Sequence, residues 1–304
     1  MLAALPDTTS IAVGGTPEAF ERAAPRADVI LIWEADTKVF EQVWRMAPRV
    51  RWVHSLSAGL DGMLFPELVE SPVPLTNARG VFSDALGEFA IGAVLFFAKD
   101  FRRLLRSQMA GIWEPFDVVA IRGQSLGIVG YGDVGRAVAS RGHALGMKVL
   151  AMRRRLELSS EDPYVTQMFS PDQKHQMLAQ SDYVVVTTPL TPESRGMVGE
   201  REFKVMKPTA VLINIGRGPV VDQAALTRAL EQKRIRGAAL DVFDVEPLPP
   251  GHPFYRLDNV LLSPHSADRT ADSKERSIRV FLDNFERFRR GEPLLHVVNK
   301  KLGY

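Results

Sequence analysis

Residues 126–139 of this 304-residue chain read Leu126-Gly127-Ile128-Val129-Gly130-Tyr131-Gly132-Asp133-Val134-Gly135-Arg136-Ala137-Val138-Ala139. A short apolar run gives way to spaced glycines and then resumes at helical spacing, which predicts a strand, a tight turn and a helix. In such a turn Gly130 allows the tight bend, Gly132 lets the backbone approach a pyrophosphate, and Gly135 lets the helix pack closely on the strand. Since glycines also mark ordinary turns, the flanking sequence has to decide whether this one binds a dinucleotide.

The composition limits the class of protein. A chain of this length suits two domains, because single hydrophobic cores stop growing near ~250–300 residues. The absence of cysteine excludes disulfides, thiolate metal sites and a cysteine nucleophile. A net charge of +2 is too small to suggest nucleic acid or a membrane surface as the main partner. With no secretory signal pattern and no apolar run of membrane length, we expect a cytoplasmic protein.

The first 95 residues alternate apolar runs with amphipathic segments, which predicts a small parallel sheet covered by helices. Strands are expected near residues 11–13, 29–33, 50–53 and 73–75, and one long helix from 82 to 106 is expected to lead into a second domain. Ser57, Ala58 and Gly59 lie in a small-residue loop after the third of these strands. Such a loop can present backbone N–H groups to a ligand, although an ordinary capped turn has the same composition.

The second half continues the strand and helix alternation. Strands are expected near residues 126–129, 147–152, 183–187, 210–214, 238–243 and 260–262. Residues 271–290 have the apolar spacing of an amphipathic helix, which we expect to return to the first domain. The sequence therefore predicts an α/β fold of two doubly wound parallel-sheet domains, with residues 1–95 and 275–304 in a substrate-binding domain and residues 96–274 in a dinucleotide-binding domain.

Polar side chains follow three later strands of the second domain. They are Arg217, Glu246 and His265. Because the carboxyl ends of parallel strands share one edge with the phosphate turn, these side chains are expected to converge beside a cofactor. Taken singly, the histidine could be a surface residue and the glutamate a loop charge.

Together, the three residue types suit hydride transfer between a nicotinamide cofactor and a 2-oxo acid. The planar guanidinium of Arg217 can bind a carboxylate and polarise the neighbouring carbonyl. His265 can exchange the proton on the C2 oxygen, and Glu246 beside it would favour the protonated imidazolium. No ligand set for a metal is expected.

Five blocks in this order resemble the D-isomer-specific 2-hydroxyacid dehydrogenase family. The resemblance covers nearly the whole chain, and a further loop, residues 52–61, is similar to the family's substrate loop. The blocks are residues 130–135, 189–194, 212–222, 239–249 and 263–265.

The resemblance implies a flavodoxin-like substrate domain built from both termini, an inserted Rossmann domain, and a homodimer. It implies that Arg217, Glu246 and His265 are catalytic, with Arg217 and the backbone amides of residues 57–59 binding the substrate. It also assigns cofactor contacts to the turn glycines and to Asp133, Val134, Thr188, Ile215 and Asp241.

One departure bears on the cofactor. The family commonly has an aspartate where this chain has Arg153, followed by Arg154 and Arg155, which favours the 2′-phosphate of NADP(H) over the ribose hydroxyl of NAD(H). A second departure lies directly after His265, where the family often has a small residue and a glycine and this chain has Ser266, Ala267 and Asp268.

The expected activity is NADP(H)-linked reduction of a small 2-oxo acid, with glyoxylate or hydroxypyruvate favoured. NAD(H) and other 2-oxo acids stay open as alternatives. A formate dehydrogenase is disfavoured because such enzymes typically have glutamine at the position of Glu246. A non-catalytic NADP-binding corepressor or sensor is disfavoured because Arg217, Glu246 and His265 are all present.

Overall fold

The structure is a computed structural model that describes residues 5–33, 36–158 and 161–304. Helices and strands alternate through most of it. In chain order they are β1 (Val29–Ile32), α1 (Thr37–Met46), β2 (Trp52–Ser55), α2 (Pro66–Glu70), β3 (Leu75–Asn77), α3 (Ser83–Ala98), α4 (Phe101–Ala110), β4 (Ser125–Val129), α5 (Asp133–Ala144), β5 (Lys148–Met152), β6 (Gln167–Phe169), α6 (Lys174–Gln180), β7 (Tyr183–Val186), α7 (Glu200–Val205), β8 (Val211–Asn214), α8 (Gln223–Glu231), β9 (Gly237–Leu240), β10 (Val260–Leu262) and α9 (Ser273–Arg290).

The chain divides into two compact units. The first contains the residues up to Phe82 together with Thr270–Tyr304, and the second is Ser83–Arg269. The α/β class and the insertion of one parallel-sheet unit into the other are as the sequence predicts. Helix α3 groups with the second unit because it packs along α5. The assignment of substrate to the first unit and cofactor to the second stays a prediction.

The first unit is built on a three-stranded parallel sheet in the order β1-β2-β3. Its core includes Trp52 of β2, whose ring stacks on Phe281 of α9 at a centroid distance of 5.3 Å. The strand expected at residues 11–13 is wrong: this segment is not in a strand, and Val13 is 83% exposed. Because the strands are parallel, the loop after β2 and the end of β3 lie at the same edge.

The second unit is a seven-stranded parallel sheet in the order β10-β9-β8-β7-β4-β5-β6. Apolar clusters cover both faces, so its strands are buried on both sides. The strand order reverses between β4 and β7, and in such sheets the crevice at the carboxyl ends of these strands is where ligands bind.

The single helix expected over residues 82–106 is in fact two helices. Asp100 interrupts it with a left-handed backbone (φ 49°), and its side chain accepts a hydrogen bond from the Arg103 N–H in the first turn of α4. Asp tolerates this conformation and caps helices well, which explains why α4 starts afresh here.

Candidate functional site

The glycine turn between β4 and α5 has the geometry of a phosphate-binding turn. Gly130 has a φ of +98°, and a Cβ there would lie 2.6 Å from the Thr188 hydroxyl oxygen. A Cβ at Gly135 would lie 2.5 Å from the Gly130 carbonyl oxygen, whereas a Cβ at Gly132 would meet nothing within 4 Å. Only Gly132 therefore faces open space, which is where a pyrophosphate would approach the backbone.

The N-terminus of α5 faces the same space. Its cap is Gly132, which makes no side-chain capping bond, and the helix begins with Asp133 and Val134, whose place in the first turn suits the binding of an anion. The Thr188 hydroxyl donates to the Val129 carbonyl at 2.8 Å, and the buried Ile215 donates its N–H to Val186 at 3.2 Å. These residues hold the ends of β4, β7 and β8 together around the turn. The residues present therefore fit a dinucleotide.

Basic side chains follow β5 at the same edge. The half-buried Arg153 donates its backbone N–H to Phe169 at 3.1 Å, and Arg154 and Arg155 are exposed. Burial and then the Asp162 charge raise the pKa of Tyr131 in the glycine turn, and the charge of Arg153 opposes that rise. Arg153 is thus close enough to the turn to act on it electrostatically.

His265 and Glu246 form a direct pair. The His265 Nδ1 lies 2.6 Å from one Glu246 oxygen, and the other oxygen accepts the Phe243 N–H at 2.9 Å. His265 has a left-handed backbone (φ 51°) and donates its own N–H to the Asp241 carbonyl at 2.9 Å. With Nδ1 fixed by the carboxylate, the Nε2 edge of the ring makes no hydrogen bond within the described part of the chain.

The buried Asp241 organises the loop that carries His265. Its Oδ1 accepts hydrogen bonds from the Ser263 hydroxyl at 2.5 Å, the Ser266 N–H at 2.9 Å and the Ala267 N–H at 3.1 Å. Sequence reasoning treated Asp241 only as a cofactor contact and missed this role, because no local pattern reports hydrogen bonds to residues more than twenty positions away. In the same loop, burial chiefly raises the pKa of Asp268, and the charge of His265 opposes that rise.

Arg217 lies in a loop held from both sides. Asn214 at the end of β8 donates to the Arg217 carbonyl and accepts the Gly216 N–H, both at 3.1 Å. A Cβ at Gly218 would lie 2.0 Å from the backbone of Phe243, whose N–H bonds Glu246. The loops after β8, β9 and β10 therefore adjoin at one edge of the sheet, and they carry Arg217, Glu246 and His265.

The loop after β2 in the first unit has two unused backbone donors. The Ser57 N–H donates to the Ser55 hydroxyl at 3.2 Å, and the Ala58 carbonyl accepts from the Asn77 amide at 2.6 Å. The N–H groups of Ala58 and Gly59 make no hydrogen bond to any described residue. Consecutive free N–H groups of this kind form a concavity that binds anions.

Among the residues that the structure describes, no group of three or more His, Asp or Glu side chains could hold a metal ion. Nor does any helix among those residues have the length and apolar character needed to cross a membrane.

Comparison with known proteins gives consistent relatives. A family model described as "D-isomer specific 2-hydroxyacid dehydrogenase, NAD binding domain" matches residues 91–267. A glyoxylate reductase of Korarchaeum cryptofilum is 35% identical in a 279-residue alignment that covers 88% of this chain and 80% of that protein.

Solved structures agree with the sequence relatives. An NADPH-dependent glyoxylate/hydroxypyruvate reductase from Sinorhizobium meliloti, solved with NADP and sulfate, superposes with a TM-score of 0.82 at 28% identity, covering 92% of this chain and 87% of that one. A D-isomer specific 2-hydroxyacid dehydrogenase from Xanthobacter autotrophicus Py2, solved with NADPH and MES, gives 0.79 at 30% identity, covering 97% and 98%.

Proposed function

Because the chain belongs to the D-isomer specific 2-hydroxyacid dehydrogenase family, a family of oxidoreductases, we propose that it reduces glyoxylate or hydroxypyruvate with NADPH. The observation that carries the proposal is the 2.6 Å pair of His265 and Glu246, at the sheet edge that also carries Arg217 and the glycine turn. A histidine held by a carboxylate on one ring nitrogen has the other nitrogen available for acid–base work.

A bound nicotinamide would supply or accept the hydride at C2 of the substrate. Gly132, Asp133 and Val134 would hold its pyrophosphate, with Thr188, Ile215 and Asp241 lining the rest of the cofactor site.

The protein's own residues do the remaining chemistry. The guanidinium of Arg217 binds the substrate carboxylate and draws electron density from the neighbouring carbonyl. His265 keeps its Nδ1 proton directed at Glu246 and gives its Nε2 proton to the C2 oxygen as the alcohol forms. Glu246 fixes the ring orientation and stabilises the protonated imidazolium.

The substrate carboxylate is further assigned to the loop after β2. The free N–H groups of Ala58 and Gly59 supply two hydrogen bonds, since Ser57 already donates its N–H to Ser55. Of the three donors expected from sequence, Ser57, Ala58 and Gly59, the proposal assigns the substrate carboxylate to the latter two.

The preference for NADP(H) rests on Arg153 and Arg154. At the end of β5 an acidic side chain would bind the ribose 2′-hydroxyl and repel a phosphate, whereas these guanidinium groups attract the 2′-phosphate. The S. meliloti and X. autotrophicus relatives, solved with NADP and NADPH, support this preference.

We also propose a cytoplasmic homodimer formed through the second unit. Helix α4 and the residues after it expose several large apolar side chains, among them Leu105, Met109 at 88% and Trp113 at 96%. A second copy of the same surface is the partner that would cover them. Sedimentation equilibrium of the wild type and of Trp113→Glu tests this: a dimer that Trp113→Glu dissociates is expected, and a monomeric wild type refutes it.

Steady-state kinetics with both cofactors test the proposed activity. We expect a kcat/KM at least tenfold higher with NADPH than with NADH, and higher with glyoxylate or hydroxypyruvate than with phenylpyruvate. An equal or better kcat/KM with NADH overturns the cofactor assignment, and preference for phenylpyruvate overturns the substrate assignment.

A further inference from the structure

Two buried side chains shape the loop formed by residues 57–59. Ser55, the last residue of β2, is fully buried, and its hydroxyl accepts the Ser57 N–H at 3.2 Å. Asn77, the last residue of β3, is 7% exposed, and its amide nitrogen donates to the Ala58 carbonyl at 2.6 Å. Ser55 and Asn77 are paired in register across the sheet. The loop is therefore fastened from two neighbouring strands.

These two bonds decide which backbone groups of the loop stay available. The Ser57 N–H donates to Ser55 and the Ala58 carbonyl accepts from Asn77, so both groups are bonded to residues at the ends of β2 and β3. The donors left are the N–H groups of Ala58 and Gly59, and the peptide between Ala58 and Gly59 is oriented by the Asn77 bond, because its carbonyl and its N–H point in opposite directions. We propose that Asn77, assisted by Ser55, is a positioning residue that aims the Gly59 N–H at the substrate carboxylate. The Ala58 N–H belongs to the preceding peptide, whose Ser57 carbonyl accepts the Ala78 N–H at 3.3 Å.

The other end of the Asn77 amide supports a role beyond stability. Its Oδ1 is buried and has no hydrogen-bond partner among the described residues. A buried acceptor without a donor costs stability, so packing alone does not account for an asparagine here. The bond that its nitrogen makes to the loop does account for it.

The inference rests on the proposed function, since it concerns the carboxylate of the 2-oxo acid. Asn284 provides a matched control in the same unit. It is a fully buried asparagine that likewise fastens a loop, donating to the Leu295 carbonyl at 3.0 Å and accepting the Leu295 N–H at 2.7 Å. Its substitution should weaken the fold without touching residues 57–59.

The test compares Asn77→Ala, Asn77→Asp and Ser55→Ala with Asn284→Ala, measuring Tm, kcat, and KM for both the 2-oxo acid and NADPH. Misaiming a hydrogen bond to a carboxylate typically costs about a factor of ten, so the Asn77 variants are expected to raise KM for the 2-oxo acid about tenfold while KM for NADPH stays within twofold. Asn77→Asp should match Asn77→Ala, because a carboxylate keeps the shape but cannot donate. Ser55→Ala should give a smaller rise, and Asn284→Ala should lower Tm only.

Unchanged KM for the 2-oxo acid in folded Asn77→Asp overturns the inference, as does an equal rise in Asn284→Ala. If Asn77→Ala does not fold, Asn77→Asp and Ser55→Ala decide the matter. Failure of the proposed function gives a different result, namely a wild type that turns over none of the 2-oxo acids.

Discussion

Protonation of a buried histidine is expected to make the first unit unfold more easily in mild acid. His54 of β2 is fully buried, and its Nδ1 lies 2.7 Å from the Thr76 hydroxyl, which also accepts the Trp52 indole N–H at 2.8 Å. Its Nε2 has no partner among the described residues. Burial, with a smaller contribution from the charge of His296, lowers the pKa of His54 to about 4.

The sign and size of the effect follow from this shift. In the unfolded chain the imidazole takes up its proton near pH ~6.5, whereas the folded protein keeps it neutral down to about pH 4. Above pH ~6.5 both states are neutral and His54 contributes no pH dependence. As the pH falls below that value only the unfolded state gains a proton, so the free energy of unfolding decreases by about 2 kcal/mol between pH 7 and pH 5.

Urea unfolding at pH 7, 6 and 5 measures this loss, followed by tryptophan fluorescence because three of the four tryptophans lie in the first unit. The variant His54→Gln cannot titrate in this range, so its unfolding free energy should change much less with pH. His143→Gln, at an exposed position of the second unit, should keep the wild-type dependence. Parallel pH profiles for the wild type and His54→Gln would refute the reasoning.

Three substitutions in the second unit test the candidate site. Glu246→Gln removes the carboxylate charge from the 2.6 Å pair with His265, so kcat should fall about a hundredfold while KM for NADPH stays nearly unchanged. A retained kcat would contradict the role of Glu246 as the partner of His265. Arg153→Asp should shift the ratio of kcat/KM values toward NADH by about tenfold or more, and an unchanged ratio would remove Arg153 from cofactor recognition. Gly218→Ala forces a Cβ to within 2.0 Å of the Phe243 backbone, so Tm and activity should both fall, and the free energy of unfolding should decrease by about 1–3 kcal/mol. Gly92→Ala, whose Cβ meets nothing within 4 Å inside helix α3, is the control and should keep the activity without lowering Tm.

The sequence predicts best what local signals determine. The helix that follows the glycine turn ends at Ala144, because Gly146 adopts a left-handed backbone (φ +78°) that glycine allows at no steric cost. The strand β5 then begins within one residue of its expected start. Apolar periodicity, a turn residue and a short connection are all local, so the first β-α-β segment of the second unit is readable without a structure.

Non-local pairing explains the errors in the fold. Apolar residues continue on both sides of Lys99 and Asp100, so periodicity alone does not show that one helix ends there and another begins. Strand β6 has only three residues and, among the described strands, pairs with β5 alone, so its propensity is weak and its partner decides its conformation. The segment 11–13 shows the opposite case: apolar residues that look like a strand lie exposed, outside the sheet.

The candidate site also has one part that the sequence predicts and one part that depends on non-local contacts. That polar side chains follow the β8, β9 and β10 strands is visible in the sequence, and parallel-sheet geometry brings their loops together. The residues that hold each loop in place are not visible in the sequence. Asp241 bonds the Ser266 and Ala267 N–H groups in the loop after β10, and Asn77 bonds Ala58 in the loop after β2, each across a long stretch of chain. The Ser57 N–H is also expected from sequence to be available, whereas in the structure it donates to the Ser55 hydroxyl.

The most direct test of the central claim is the initial rate of NADPH oxidation by hydroxypyruvate or glyoxylate, compared between the wild type and His265→Asn. We predict substrate-dependent oxidation by the wild type and a fall in kcat of about a hundredfold or more in His265→Asn, because the variant keeps a hydrogen-bonding side chain but loses the group that delivers the proton. A wild type that oxidises no NADPH with any 2-oxo acid, or a His265→Asn variant with near-normal kcat, would contradict the account.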